Sequence, residues 1–575
     1  MENLHISSEE TDEYDGHNYY LYNDDNNDDD EITLENETTN QPLIKRKEMI
    51  GKLKLRRNFN DTFHSGLAAV IDYFPKYELI STPGAIVNPD QRMPWGPTTA
   101  TSFQHLLAMF GSNALCPLLM GMSPSTSIFF SGIGTLIFYI CTGGRLPSYL
   151  GSSFAFIGVV NSATNYHYVP GGPGNEHIGV AAGGILVCGL IYLAISLLVI
   201  FAGYRWLEIL MPPVVTGSVV IAIGLHLAGS AVSQAATTGF DAWMAMLTLI
   251  SVCLVTMYAP GPFKRLPILI GGLIGYFVYL FCGIGGVGPG IDFQIVRDAK
   301  WIGAPPTHTP VFESSAISLI APVAIILAAE NIGHIKAVGA MTGKGGQGDS
   351  SSLDSLIGRA FLGDSLATVI AASFGGVGTT TYAENIGVMS ITKIFSTLNF
   401  LLAACISIIL GVLPIFGAVI QTIPPGVFGG LSIILFGIVG ITGAKLWINA
   451  KVDFSKPRNL LTAGICIVLG GGMVDVYVEW GTVKIDGIGV ATFSAIILYQ
   501  LLRENWGEIF KMAYSRIRYG KPYEKSIDDF GEPTDDGSVE KDQHAIEIPT
   551  VSENNNTTTP VTTTTNFSTT PITFM

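Results

Sequence analysis

The chain has 575 residues, of which 48% are hydrophobic and only 13% charged, with 66 glycines. A soluble domain of ordinary composition carries about 25% charged residues, so this balance excludes one and reads as a polytopic membrane protein. The formal charge of −15 belongs to the ends: residues 98–502 hold 15 Lys+Arg and 15 Asp+Glu, a neutral body for which no nucleic-acid partner is expected.

Residues 1–97 read as an N-terminal tail and pre-membrane segment, with an acidic block "NDDNNDDDEITLENE" followed by the basic run "KRKEMIGKLKLRR". No basic n-region with an apolar stretch behind it marks a cleavable signal peptide. Residues 98–502 form the transmembrane domain, and 503–575 a tail ending in "NNNTTTPVTTTTNFSTTP", a composition that cannot bury a core.

Within the domain, hydrophobic windows predict fourteen spans, an all-α polytopic fold. The first seven start near Thr99, Ser123, Pro147, Ile178, Leu207, Phe240 and Leu266. After a long loop, Gly288–Pro310, seven more start near Ser315, Leu356, Thr379, Ser396, Pro424, Asn459 and Thr482. Loops after even-numbered spans carry twelve Lys/Arg and loops after odd-numbered spans only Arg297, Lys300 and Lys484. The positive-inside rule then puts both termini in the cytoplasm, with the plasma membrane the expected location.

Seven plus seven spans predicts an inverted repeat, the arrangement of many secondary transporters. The third span of each half is short and broken by small polar residues, "LPSYLGSSFAFIGVV" and "GGVGTTTYAENIGVMS". Backbone exposed in such a break must be buried in protein or line a wet cavity, and a matched pair of breaks points to a midplane substrate site.

Three acids lie well inside spans: Glu330, Asp364 and Glu384. A carboxylate at the bilayer centre costs at least about 2.5 kcal/mol, which makes it functional by default. In "LAAENIGHIKAV", Glu330 and His334 stand at i and i+4 and share a helix face; the structural alternative is a self-satisfied pair holding helices together. Glu384 follows the second break, either as a helix N-terminal carboxylate or as a ligand acceptor whose protonation changes during transport. Gln104 and His105 form a polar pair in the first span with either a structural or a ligand role, and Asp364 reads as bracing. The seven cysteines fall singly, so neither a disulfide framework nor a metal site is expected. "GIGGVG" follows a span and precedes Pro289, which denies it a nucleotide role. No catalytic constellation is visible; neither enzyme activity nor a cofactor is expected.

Taken together, "SFQHLLAMFG", "GSSFAFIG", "AAENIGHIKAVG", "TTTYAENIGVMSITK" and "KVDFSKPRNLL" resemble the nucleobase–ascorbate (nucleobase:cation symporter 2) family, closest to its uracil permease branch. The resemblance covers roughly Thr99 to Leu502. It implies a core domain of spans 1–4 and 8–11, a gate domain of spans 5–7 and 12–14, and short strands in spans 3 and 10. It also implies elevator-like movement, proton symport and a homodimer. Carried over by position, Glu330 and Glu384 would hold the nucleobase and couple the proton, with His334 assisting. Phe154, Ala155, Phe156, Tyr382 and Ala383 would complete the site, with Gln104, His105, Asn385 and Thr392 as a supporting network. Purine carriers of the family show Gln at the position of Glu384 and Asp at that of His334, so the chain looks like the uracil type. Phe436 departs from it, since bacterial uracil permeases tend to have Tyr there. The alternatives are a xanthine or uric acid permease of the same family, and an anion transporter of the related sulfate-permease fold.

Overall fold

A computed structural model describes residues 73–503, apart from 83, 170–171, 173, 261–262, 265, 343–352, 354, 475 and 481–482. The tails beyond these limits, with their acidic, basic and Thr/Asn-rich blocks, lie outside the described residues.

A parallel pair of two-residue strands, β1 (Glu78–Leu79) and β2 (Gln91–Arg92), precedes the helices. This pre-membrane segment is packed onto the helical body. Tyr77 OH bonds Tyr139 OH at 2.9 Å and Thr397 Oγ1 at 2.8 Å, and Phe74 stacks on Tyr139 with ring centroids 5.5 Å apart. Its aromatic residues, with no hydrophobic run long enough to read as a span, carry the docking.

The first half of the body runs α1 (Trp95–Leu119), α2 (Pro124–Thr142), β3 (Leu150–Ser152), α3 (Ala155–Thr164), α4 (Ile178–Ala202), α5 (Arg205–Leu210), α6 (Pro213–Ala235), α7 (Gly239–Tyr258) and α8 (Pro267–Ile284). A loop with the one-turn helix α9 (Gln294–Asp298) leads into α10 (Ser314–Ile320), α11 (Val323–Met341), α12 (Ile357–Ser373), β4 (Thr379–Thr381) and α13 (Ala383–Thr392). Then come α14 (Thr397–Gly411), α15 (Pro414–Gln421), α16 (Pro425–Asn449), α17 (Pro457–Gly472), the hairpin β5 (Val478–Trp480) with β6 (Val483–Ile485), and α18 (Gly487–Leu501).

Proline punctuates these starts. Pro124, Pro213, Pro267, Pro414, Pro425 and Pro457 each occupy the first helical turn, where the missing N–H costs nothing and the fixed φ suits the helix. The same residue type explains where elements begin otherwise than the hydropathy suggests. The fifth apolar stretch, expected from Leu207, is split into α5 and α6 at Met211–Pro212, and the eighth, expected from Ser315, into α10 and α11 at Ala321–Pro322. The last helix begins at Gly487 rather than near Thr482, because the β5–β6 hairpin comes first and Asp486 caps the helix, its carboxylate accepting from Ile488 N and Gly489 N.

Among the described residues, seven helical stretches are long and apolar enough to cross a membrane, and an eighth if α14 and α15, bent by 82°, count as one. Their outer faces carry Phe201 (85% exposed), Tyr258 (79%) and Trp243 (74%), an apolar exposure that water would penalise and lipid would not. The protein is an integral membrane protein, mostly helical. Packing falls into two groups: α2 lies against α12 and α14, with α4 on α12; α6 lies along α16 and α17, with α7 on α8 and α16. The motif "KVDFSKPRNLL" is a turn between α16 and α17. Asp453 accepts from Ser455 N at 2.8 Å and Ser455 Oγ at 2.7 Å, bonds that hold its carboxyl below the usual carboxylate range, and Asn459 Nδ2 donates to the Asp453 carbonyl at 2.8 Å.

Candidate binding site

Strands β3 and β4 pair antiparallel although their first residues, Leu150 and Thr379, lie 229 positions apart: Leu150 faces Thr381, Gly151 faces Thr380 and Ser152 faces Thr379. The ladder continues at both ends through Ser153 N to Gly378 O (3.0 Å) and Tyr382 N to Tyr149 O (3.1 Å). All six strand residues are buried, and the outward Leu150 N, Ser152 N and Thr379 N donate to Thr135 Oγ1, Asn113 Oδ1 and Thr368 Oγ1. Close approach needs glycine here. A Cβ on Gly151 would lie 2.4 Å from the Tyr382 ring, and one on Gly378 would lie 2.2 Å from the Phe156 ring.

Each strand runs into a short helix, β3 into α3 and β4 into α13, so two helix starts lie at one strand pair; at α3 the first N–H groups are answered locally, Ala155 N by Ser153 Oγ, Phe156 N by Ser153 O and Ile157 N by Phe154 O. Both short helices end alike, on a left-handed residue: Asn165 (φ 49°) after α3 and Lys393 (φ 58°) after α13.

Helix α11 brings the paired Glu330 and His334 to β4. Thr380 Oγ1 donates to Glu330 Oε2 at 3.3 Å, and Thr381 Oγ1 lies 2.8 Å from His334 Nδ1. Glu384, in the first turn of α13, accepts from Ser112 Oγ of α1. Glu384 and Asp364 both lie within electrostatic reach of Glu330. The structure thus brings together Glu330, His334, Glu384 and Ala383. Phe154 is half-buried and meets Phe436 edge-to-face, ring centroids 5.8 Å apart, while Ala155 and Phe156 are buried.

Two expected positions differ in kind. Tyr382 does not present its ring to a cavity: it is 3% exposed, lies against Gly151, and its hydroxyl donates to Ser152 O at 3.0 Å, so it braces the strand pair. Thr392 sits at the far end of α13 and donates to Val388 O at 2.9 Å, a local bond within its own helix. Asn385 and His105 do join one another. Asn385 Nδ2 donates to His105 O at 2.9 Å and lies 3.2 Å from His105 Nδ1, tying α13 to α1; Gln104 beside them is half-buried.

Sequence reasoning missed the side chains that hold this centre in place. Asn113 Oδ1 accepts from Ser152 N at 3.1 Å and Ser152 Oγ at 2.8 Å, and its Nδ2 donates to Ser131 Oγ at 2.8 Å. Asn331 links Tyr192, Asp364 and Thr381. One signal was available: Ser112 stands seven residues after His105, two turns along the same helix face. Ser112→Ala removes a donor to a carboxylate, a bond worth ~1.5–3 kcal/mol. We expect the KM of the transported substrate to rise about tenfold in that variant with expression unchanged, as transport kinetics would show; an unaltered KM would detach Ser112 from the site.

With the matches that follow, this lipid-facing helical body, with half-buried Glu330 and Glu384, paired short strands and two helix starts, is a membrane transporter and not an enzyme. The model of the permease family Xan_ur_permease matches residues 97–478. A protein of Escherichia coli (strain K12) named as a pyrimidine permease, RutG, is 48% identical over 433 residues, covering 75% of this chain and 95% of that one. The uracil permeases of Paenibacillus larvae and Bacillus subtilis are 37% and 36% identical, covering 72% and 70% of this chain and 96% and 91% of theirs. Among solved structures, the murine anion transporter Slc26a9 in its inward-facing state shares the fold at a TM-score of 0.53 with 12% identity, over 78% of this chain and 72% of that one. The chain belongs to the nucleobase–ascorbate transporter family, as its motifs lead one to expect.

Proposed function

We propose that the protein imports uracil or a closely related pyrimidine by proton symport, with Glu330 and Glu384 as the acceptors of the base. The observation that carries this is the convergence of two intramembrane carboxylates from separate helices, each held by a hydroxyl, on one strand pair. Uracil offers two ring N–H donors and two carbonyl acceptors, which match two carboxylates together with backbone N–H groups beside the strand pair. Relatives named for uracil and pyrimidine at 35–48% identity support the same substrate.

In this reading the elements make fourteen spans in two inverted sets of seven, from α1 to α8 and from α10 to α18. β3–α3 and β4–α13 form the third and tenth. The likeness of these two strand–helix units, down to their left-handed ends, supports the repeat. The α2–α4–α12–α14 packing group belongs to a core domain and the α6–α7–α8–α16–α17–α18 group to a gate. The core slides against the gate as an elevator, in a homodimer of the plasma membrane with both termini cytoplasmic. Residues 1–97 and 503–575 flank the transporter domain as cytoplasmic segments.

Uptake of labelled uracil, xanthine and ascorbate in a carrier-deficient cell, with and without a proton uncoupler, tests this. We expect uracil uptake that the uncoupler abolishes. Uptake of xanthine alone would refute the pyrimidine, and uncoupler-insensitive uracil uptake would refute the proton.

A further inference from the structure

Behind the strand pair, four side chains form a directed chain of hydrogen bonds, and its direction fixes which nitrogen of His334 is free. Asp364 is fully buried; its Oδ1 accepts from Thr379 Oγ1 at 2.7 Å and its Oδ2 from Asn331 Nδ2 at 2.5 Å. A carboxylate only accepts, so Asn331 turns its NH2 toward Asp364, and the same NH2 donates to the Tyr192 hydroxyl at 2.7 Å. That leaves the Asn331 amide oxygen facing Thr381, whose hydroxyl donates to it. A threonine hydroxyl has one proton. Having given it to Asn331, Thr381 can only accept from His334 Nδ1, 2.8 Å away. His334 therefore carries its N–H at Nδ1, which leaves Nε2 as the acceptor nitrogen of the neutral ring.

We propose that Thr381, oriented by Asn331 and Asp364, is a positioning residue that holds His334 in the Nδ1–H tautomer, so that Nε2 is a one-sided acceptor for a ring N–H of the transported heterocycle. The bond made by one ring nitrogen sets the role of the other. A proton taken up by His334 then goes to Nε2, the unprotonated nitrogen. This rests on the reading of the cluster as the substrate site. Glu330, one turn earlier on α11, shares the His334 face, and its carboxylate is held by Thr380.

The test is NMR of the full chain in lipid bilayers with 15N-labelled histidine, the His334 signal being assigned by its loss in His334→Gln. The wild type and Thr381→Ser are expected to show a protonated Nδ1 and a bare Nε2, and Thr381→Val to show the proton moving to Nε2. A wild-type His334 protonated at Nε2, or an unchanged tautomer in Thr381→Val, overturns the proposal. In uptake assays, Thr381→Val is expected to raise the KM for uracil about five- to tenfold, while Thr381→Ser stays within about twofold of wild type. An unaltered KM in Thr381→Val overturns the acceptor role. If the wild type carries no uracil at all, the substrate reading fails alone, and the NMR result still decides the tautomer.

Discussion

Glu384→Gln is expected to abolish uracil uptake or pass the site to a different base, while the protein still reaches the membrane. The carboxylate stands in the first turn of α13, held by Ser112 Oγ, at the end of the strand that also presents Thr380 and Thr381 to α11. Replacing it by an amide keeps the shape and one acceptor but turns the second oxygen into a donor. A bond to a charged acceptor is worth ~1.5–3 kcal/mol, so affinity for an N–H donor falls by at least about tenfold and toward a hundredfold. A site built to bond a particular pattern of donors also rejects ligands that leave its polar groups unpaired. Ser112 keeps a carbonyl oxygen to donate to, so the fold is spared. Competition of labelled uracil uptake by unlabelled uracil and xanthine reads both effects. Unchanged uracil uptake in Glu384→Gln would make the residue a helix-terminal brace and no more.

Gly151→Val is expected to remove transport by a different route, through the strand pair itself. The added side chain starts at a Cβ 2.4 Å from the Tyr382 ring, inside a fully buried register where Gly151 faces Thr380. Overpacking of this kind costs ~1–3 kcal/mol and sometimes more. Tyr382 can yield only by giving up its bond to Ser152 O. Thermal unfolding of the purified variant should shift down and uptake should fall below detection. Gly387→Ala is the matched control: nothing lies within 4 Å of a Cβ there, and alanine suits a helix better than glycine, so stability should hold or rise. Equal thermal stability of Gly151→Val and wild type would mean that the two strands need not pack this closely.

The membrane class and the places of most helices are legible in the sequence, because long apolar windows depend on composition alone. The two broken segments were also legible, since "GSSFAFIG" and "GTTTYAEN" interrupt apolar runs with small polar residues. What they become was not. The pairing of Leu150–Ser152 with Thr379–Thr381 joins residues far apart in the chain, and no local pattern announces a partner at that distance. The same holds for the side chains that serve it: nothing local to Asn113 or Asn331 names their partners, and only the fold shows them satisfying backbone and side-chain groups of the strands. Only the family resemblance places Tyr382 at the site, and its packing on Gly151 is a contact that no local pattern shows. The short helices before α6 and α11 escaped because hydropathy windows average across the Pro212 and Pro322 breaks that separate them.

Uracil-driven proton movement in proteoliposomes containing only this protein and a trapped pH indicator measures the central claim most directly. Adding external uracil should acidify the lumen of wild-type vesicles and leave Glu384→Gln vesicles unchanged, with ascorbate giving no signal in either. A wild-type lumen that takes up labelled uracil without acidifying, or that acidifies with xanthine and not with uracil, would contradict it.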